Sequence, residues 1–167
     1  MRPMGIQVSE EVSQAYFEEV KHILQNKQFI ELSKFIHHQW TNRLMHSVNV
    51  SYLSWHLAKK LGCDATVAAR AGLLHDFCLY DFKEGTPTGE HQAFYHPKVA
   101  AENSYEVFQI SEKEWDAIRT HMFPLGPIPN NKEGWIITVA DKICAVMELC
   151  HIAIALARKN RVMVVPA

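Results

Sequence analysis

The chain has 167 residues, of which 17 are basic and 18 are acidic, so its formal net charge is only −1. This length fits one domain, and the near-neutral charge excludes a strongly basic nucleic-acid binder and a disordered polyelectrolyte. The four cysteines form no C-x-x-C pair, so we expect reduced thiols rather than a disulfide framework. Because the chain begins without the apolar run of a signal peptide and has no apolar stretch of about 20 residues, we predict a soluble cytoplasmic protein.

Apolar residues recur at helical spacing along the chain, and no segment alternates as a half-buried strand would. The pattern therefore predicts an all-α fold. In chain order, the first four predicted helices cover about residues 10–26, 27–38, 42–61 and 64–76. Three more begin near His96-Pro97, after Ser111 and at Lys132, and the last of them runs to Arg158.

Capping residues mark several predicted helix ends. Gly62 suits the end of the third helix, and Asp64 suits the start of the next. Ser111 and Glu114 have the spacing of a capping box. Residues 77–95 form the longest irregular stretch, and we expect this loop to border a functional cavity.

Histidine is unusually frequent, with 10 residues against 7 glycines. Histidines and aspartates lie in an ordered set whose members fall on different predicted helices or helix starts. The set is His46, His75, Asp76, His96, His121 and Asp141. Packed helices can project such side chains into one cavity, and mixed imidazole and carboxylate ligands suit zinc, iron, manganese or nickel.

These residues resemble the HD-domain phosphohydrolases, whose motif is a His, then a His-Asp pair, then a later Asp, on a helical bundle. The similar segments are RLMHSVNVSYLSWHLAKKLG, AARAGLLHDF and TVADKICAV, within about residues 40–150. The histidines of HPKVAAE and IRTHMFPLG are similar to those of the dinuclear branch of that superfamily. We therefore predict a single HD domain over residues 1–167, with six to seven helices and with the N-terminal helices of 9–38 packed on the motif-bearing core.

The resemblance also implies a ligand set for two divalent transition-metal ions, drawn from iron, manganese, nickel, cobalt and zinc. The first ion would be held by His46, His75, Asp76 and Asp141, and Asp76 would bridge to a second ion held by His96 and His121. The chemistry implied is hydrolysis of a phosphoester or phosphoanhydride by a hydroxide that bridges the two ions. A small phosphorylated metabolite, with a nucleotide favoured, is the expected substrate.

A substrate phosphate also needs cations beside the metals. The candidates are Arg43, which lies three residues before His46, and Lys142, which follows Asp141. Arg43 could instead make a structural ion pair with a neighbouring helix. Weaker candidates for substrate contact are Lys83, Lys98 and His91.

Two other functions compete with this prediction. The same ligand pattern resembles the mixed-valent di-iron oxygenases of the superfamily, and a non-catalytic module that binds metal or nucleotide is the third alternative. We expect no membrane and no nucleic-acid polymer as partner, whereas the apolar end RVMVVPA is expected to dock on the domain or on a second copy in a homodimer. The histidines interpreted as surface or packing residues are His22, His37, His38, His56, His91 and His151.

Overall fold

The computed structural model describes residues 10–37 and 41–150. Its helices are α1 (Glu10–Leu24), α2 (Lys27–Ile30), α3 (Arg43–Leu61), α4 (Ala65–Leu74), α5 (Gln92–Phe108), α6 (Glu112–Thr120) and α7 (Lys132–Leu149). Short 3₁₀ turns cover Glu31–Lys34 and Phe82–Glu84, and two-residue strands β1 (Ile36–His37) and β2 (Thr41–Asn42) pair antiparallel. The predicted all-α class is confirmed. Among these residues, no helix is both long enough and apolar enough to cross a membrane.

The predicted caps lie at the helix ends. Gly62 ends α3 in the left-handed conformation, with φ of 65°. The Asp64 side chain accepts a hydrogen bond from the Val67 N–H at the start of α4. Ser111 and Glu114 form both hydrogen bonds of the capping box that opens α6. These ends were predictable because each depends on contacts within a few residues.

The single helix predicted over residues 27–38 is wrong. Helix α2 ends at Ile30, and the chain continues through a 3₁₀ turn into β1. Phe35 is already extended, and its carbonyl oxygen accepts a hydrogen bond from the Arg43 N–H at 2.9 Å. This long-range pairing with the start of α3 replaces the helical hydrogen bonds that the local pattern favoured.

Helix α5 begins at Gln92, earlier than the predicted start near Pro97. The His91 side chain caps it by accepting a hydrogen bond from the Ala93 N–H at 3.2 Å. Pro97 therefore lies inside the helix. At the other end of the chain, the predicted extension of the last helix to Arg158 and the apolar segment RVMVVPA lie outside the described residues.

Helices α3 and α4 pack in close contact at the centre of the fold. Gly72 permits this approach, because a Cβ atom there would lie 3.0 Å from the Ser51 Cα. Ser51 donates a hydrogen bond to the Ala69 carbonyl oxygen and accepts one from the Tyr16 hydroxyl at 2.7 Å. These contacts join α1, α3 and α4, and the small residues Ser51, Ala69 and Gly72 bring α3 and α4 close together.

Glu133 connects three helices near the beginning of α7. Its carboxylate is buried, accepts the Asp64 N–H at 2.8 Å and pairs with the Lys113 Nζ at 3.0 Å. Burial raises the pKa of Glu133, but these partners outweigh burial and hold it below its ordinary value near 4.5. The resulting stabilisation is therefore present above the unfolded-state pKa and is lost as pH falls through the folded-state pKa.

We expect Glu133→Gln to lower the free energy of unfolding by about 1 kcal/mol at neutral pH. The difference from the wild type should shrink as the pH falls below about 4.5, because both proteins then carry an uncharged side chain. Urea denaturation over a pH series measures this difference. Glu102→Gln, at an exposed position of α5, is the control and should change stability little. A Glu133→Gln difference that is independent of pH would contradict the ion-pair explanation.

Candidate metal centre

The fold brings all six predicted ligand side chains into one cluster. His46 lies in the first turn of α3, and His75 is the C-cap residue of α4, with Asp76 next to it. The others are His96 on α5, His121 at the C-cap of α6 and Asp141 on α7. Their ligand atoms fall into overlapping groups in which all atoms lie within 4.8 Å of one another. Asp141 has the most exposed side chain of the six, at 16%.

Three of the imidazole rings are held by hydrogen bonds from Nδ1 to a backbone carbonyl of the preceding helical turn. These bonds join His75 to Gly72, His96 to Gln92 and His121 to Ile118, each at 2.7 Å. A carbonyl oxygen only accepts, so the proton of each neutral ring lies on Nδ1. In the neutral form of each ring, Nε2 therefore carries the lone pair, and this is the nitrogen that can bind a metal ion.

The three Nε2 atoms face one another and the aspartates of the cluster. The Nε2 atoms of His96 and His121 lie 2.9 Å apart, and burial, together with His75 and His96, lowers the pKa of His121 to about 3. The buried Nε2 of His75 has no hydrogen-bond partner in the part of the chain that the structure describes. Because buried polar atoms are rarely left unsatisfied, this donor set fits a bound cation.

Asp76 directs its two carboxylate oxygens to different rings. Oδ2 lies 3.7 Å from Nε2 of His75, whereas Oδ1 lies 3.3 Å from Nε2 of His96 and 3.8 Å from Nε2 of His121. Two atoms that each bind one ion at about 2 Å lie roughly 3 Å apart when adjacent and up to about 4 Å apart when opposite. The separations around Asp76 therefore fit shared coordination on both sides of its carboxylate.

Asp141 approaches the remaining pair of histidines. Its Oδ1 lies 3.0 Å from Nε2 of His46 and 3.6 Å from Nε2 of His75. Burial raises the pKa of both Asp76 and Asp141, but the neighbouring histidines outweigh burial and hold each well below its usual range. Both carboxylates are thus ionised at neutral pH and can bind a cation.

The pKa of His46 is raised, in contrast to that of His121. Burial lowers its pKa, yet hydrogen bonds to Asp141 and Glu148 outweigh burial and raise the pKa to about 10. Without an ion, a proton on Nε2 therefore compensates the Asp141 carboxylate. A metal ion at this position would replace that proton, because a ligating imidazole must offer a lone pair.

Comparison with known proteins adds a family assignment to this geometry. The HD domain family matches residues 43–146, which include all six side chains of the cluster. The chain belongs to the HD domain family. No solved structure shows significant similarity to it.

The curated relatives of this HD domain include proteins named Ribonuclease Y. The protein from Clostridium tetani (strain Massachusetts / E88) is 42% identical over 71 residues, which are 41% of this chain and 14% of the relative. The protein from Clostridium perfringens (strain SM101 / Type A) is 35% identical over 105 residues, which are 58% of this chain and 20% of the relative. This chain thus spans no more than about a fifth of the length of these relatives.

Arg43, predicted to bind substrate phosphate, is buried among backbone acceptors and aromatic rings. Its Nη1 donates to the carbonyl oxygens of Cys78 and Tyr80, the latter at 2.9 Å. Its guanidinium carbon lies 4.8 Å from the ring centroid of Phe35 and 3.8 Å from that of Phe82. These contacts anchor the beginning of the 77–95 loop and do not support a phosphate-binding role for Arg43.

Among the other predicted cations, Lys142 contacts the backbone of a cluster residue. Its Nζ donates to the His121 carbonyl oxygen at 3.4 Å, and the side chain is exposed next to Asp141. Lys98 instead pairs with Glu90 at 2.6 Å. Lys83 is exposed in the 3₁₀ turn, and His91 caps α5.

Two residues at the cluster were missed by sequence reasoning. Both carboxylate oxygens of Glu148 contact Nδ1 of His46, at 3.0 and 2.9 Å. The His37 ring, interpreted as a surface or packing residue, lies over the His46 ring with 4.0 Å between centroids. Glu148 follows Asp141 by seven residues, and this two-turn spacing on one helix was the available signal. His38 and His151 lie outside the described residues.

Proposed function

We propose that this HD domain is a metal-dependent phosphohydrolase whose cluster holds two divalent transition-metal ions. The observation that carries the proposal is the convergence of four imidazole rings and two carboxylates in one largely buried site. Three rings are fixed by Nδ1 bonds to the backbone, so their Nε2 lone pairs are preorganised for ligation. Membership of the HD domain family supports the same conclusion.

The proposed ligands divide into two groups that share one carboxylate. His46, His75, Asp76 and Asp141 would hold the first ion, and Asp76, His96 and His121 would hold the second. When bound, such ions polarise a phosphoryl oxygen and lower the pKa of a coordinated water. The chain itself contributes the orientation of the ligands, since each ring nitrogen is aimed by a hydrogen bond and each aspartate is kept ionised by its histidine neighbours.

Substrate would approach from the side of Asp141, whose side chain is partly exposed. Lys142 lies beside it and can pair with a phosphate oxygen that is not bound to the ions. Because the whole chain has a net charge of only −1, attraction of an anionic substrate depends on the ions and on such local cations.

A phosphate ester of a nucleotide is the proposed substrate class. A phosphodiester of RNA is the second candidate, favoured by the similarity to proteins named Ribonuclease Y. The sequence-based exclusion of a nucleic-acid polymer finds no support in these relatives, so RNA belongs in the test. The oxygenase and the non-catalytic module are the functional alternatives to be distinguished from hydrolysis.

The decisive experiment combines elemental analysis of the purified protein with assays of phosphate release and RNA cleavage. Nucleotides, dinucleotides, sugar phosphates and a short single-stranded RNA form the substrate panel. Metal-dependent hydrolysis of any member supports the proposal. Oxygen consumption by an iron-loaded protein that releases no phosphate would instead favour the oxygenase, and metal-independent nucleotide binding without turnover would favour the non-catalytic module.

Removal of one proposed ligand tests whether the site holds two ions. We expect His121→Ala to lose the second ion and keep the first, because His121 contacts Asp76 on the side of His96. Metal content per chain, measured by elemental analysis, should therefore fall by about half. His56→Ala, at an exposed position of α3, is the matched control and should retain the full content. Unchanged metal content in His121→Ala would contradict the dinuclear assignment.

A further inference from the structure

Glu148 is a buried carboxylate near the end of α7, with only 7% of the residue exposed. Its Oε1 and Oε2 lie 3.0 and 2.9 Å from Nδ1 of His46, a residue 102 positions earlier in the chain. Burying an ionised carboxylate costs several kcal/mol unless it is paired and hydrogen-bonded. The imidazole N–H of His46 provides that pairing, so the two buried groups depend on each other.

The His46 ring lies between two carboxylates of α7, those of Asp141 and Glu148. Asp141 approaches Nε2 at 3.0 Å, and Glu148 approaches Nδ1 on the other edge of the ring. Residues seven apart lie on the same side of a helix, about 10 Å apart along its axis. Because Glu148 accepts the proton of Nδ1, Nε2 remains the nitrogen that faces Asp141 and His75.

His46 differs in this respect from the other three imidazoles of the cluster. Those rings donate from Nδ1 to a backbone carbonyl of their own helix. The Nδ1 of His46 is held instead by a side chain from α7. The orientation of this one ring is therefore set by tertiary packing.

Packing against the ring of His37 also restrains the His46 ring. His37 on β1 lies over the His46 ring, with a centroid separation of 4.0 Å and an interplanar angle of 32°. Glu148 limits rotation of the ring within its plane, and His37 limits its tilt. Together they hold Nε2 towards the metal cluster.

We propose that Glu148 is a positioning residue that sets the proton location and orientation of His46 for metal binding. This inference rests on the proposed metal site. Glu148 acts through His46, because its oxygens contact Nδ1 of that ring whereas Asp141 contacts Nε2. Loss of a carboxylate that orients a ligating histidine typically weakens metal affinity 10-fold to 100-fold.

The test measures Zn²⁺ affinity by competition with a chromophoric chelator in the wild type, Glu148→Gln and Glu148→Leu. We expect Glu148→Leu to bind Zn²⁺ about 10-fold to 100-fold more weakly. Glu148→Gln should lie between it and the wild type, because an amide oxygen still accepts the Nδ1 proton. The number of ions bound at saturation should be unchanged. Glu133→Gln is the matched control on α7, and we expect it to lower stability while leaving Zn²⁺ affinity unchanged.

A spectroscopic readout reports on the ring itself. In the Zn²⁺-loaded wild type, ¹⁵N-labelled histidine should show a protected His46 Nδ1–H, and Glu148→Leu should expose that proton to rapid exchange. Equal Zn²⁺ affinity and an unchanged His46 signal in Glu148→Leu would overturn the inference. Loss of an equivalent of Zn²⁺ in Glu148→Gln at saturation would also overturn it, because Glu148 would then be a ligand. A wild type that binds no divalent metal would instead refute the proposed metal site.

Discussion

Asp76→Asn is expected to abolish both metal binding at the shared position and hydrolysis. The carboxylate oxygens of Asp76 point to His75 on one side and to His96 and His121 on the other. An asparagine would place an amide N–H on one of these sides, where it can donate to imidazole lone pairs but cannot bind a cation. Because metal ions contribute several kcal/mol of transition-state stabilisation, we expect the rate to fall on the order of 10³-fold or more.

Metal content and phosphate release should be measured on the same Asp76→Asn preparation, with its free energy of unfolding as a check on folding. Asp64→Asn is the matched control, because asparagine caps a helix as well as aspartate does. We expect Asp64→Asn to keep full metal content and activity. If folded Asp76→Asn retained both metals and wild-type turnover, the proposed site would be refuted.

Arg43→Ala is expected to lower the free energy of unfolding by about 3 kcal/mol. The substitution removes the donor to the Cys78 and Tyr80 carbonyl oxygens and leaves a cavity between Phe35 and Phe82. Buried acceptors without donors and an unfilled cavity are both destabilising. Urea denaturation measures the loss, and hydrogen exchange should show faster opening of the 77–95 loop.

The same variant separates the structural interpretation of Arg43 from the sequence-based one. If Arg43 bound substrate phosphate, Arg43→Ala would raise KM while leaving stability near that of the wild type. Arg119→Ala on α6 is the matched control, because the structure gives Arg119 no ion pair and no side-chain hydrogen bond within the described residues. Its free energy of unfolding should change by less than about 0.5 kcal/mol. Unchanged stability with a raised KM in Arg43→Ala would restore the phosphate-binding role.

Helices and their ends were largely predictable because their causes are local. Gly62, Asp64 and Ser111 act on backbone groups within a few residues, so their effect can be derived from the printed sequence. The prediction was wrong over residues 27–38, where the pattern of apolar residues is helical. There, the hydrogen bond between Phe35 and Arg43 competes with local propensity, and a pairing across the β1–β2 hairpin cannot be read from one segment.

The motif predicts which six histidines and aspartates meet in the cluster. It does not predict the roles of the residues that surround the cluster. Arg43 lies three residues before His46, which suggested a shared role, yet its guanidinium packs under the 77–95 loop. Glu148 carried no motif at all, although it contacts His46 directly. The contacts of Arg43 and of Glu148 both depend on which residues of distant segments pack beside them.

Residue order and helical periodicity were therefore sufficient for the all-α class, for most helix ends and for the candidate ligands, because these depend on spacing along the chain. Tertiary packing alone decided which nitrogen of His46 faces the cluster, what holds that ring in place, and how Asp76 divides its oxygens between neighbours. Those features arise where α3, α4, α5, α6 and α7 meet, since each hydrogen bond there requires a particular distance between separate elements. A sequence lists the donors and acceptors, whereas only the fold determines which of them lie within about 3 Å of one another.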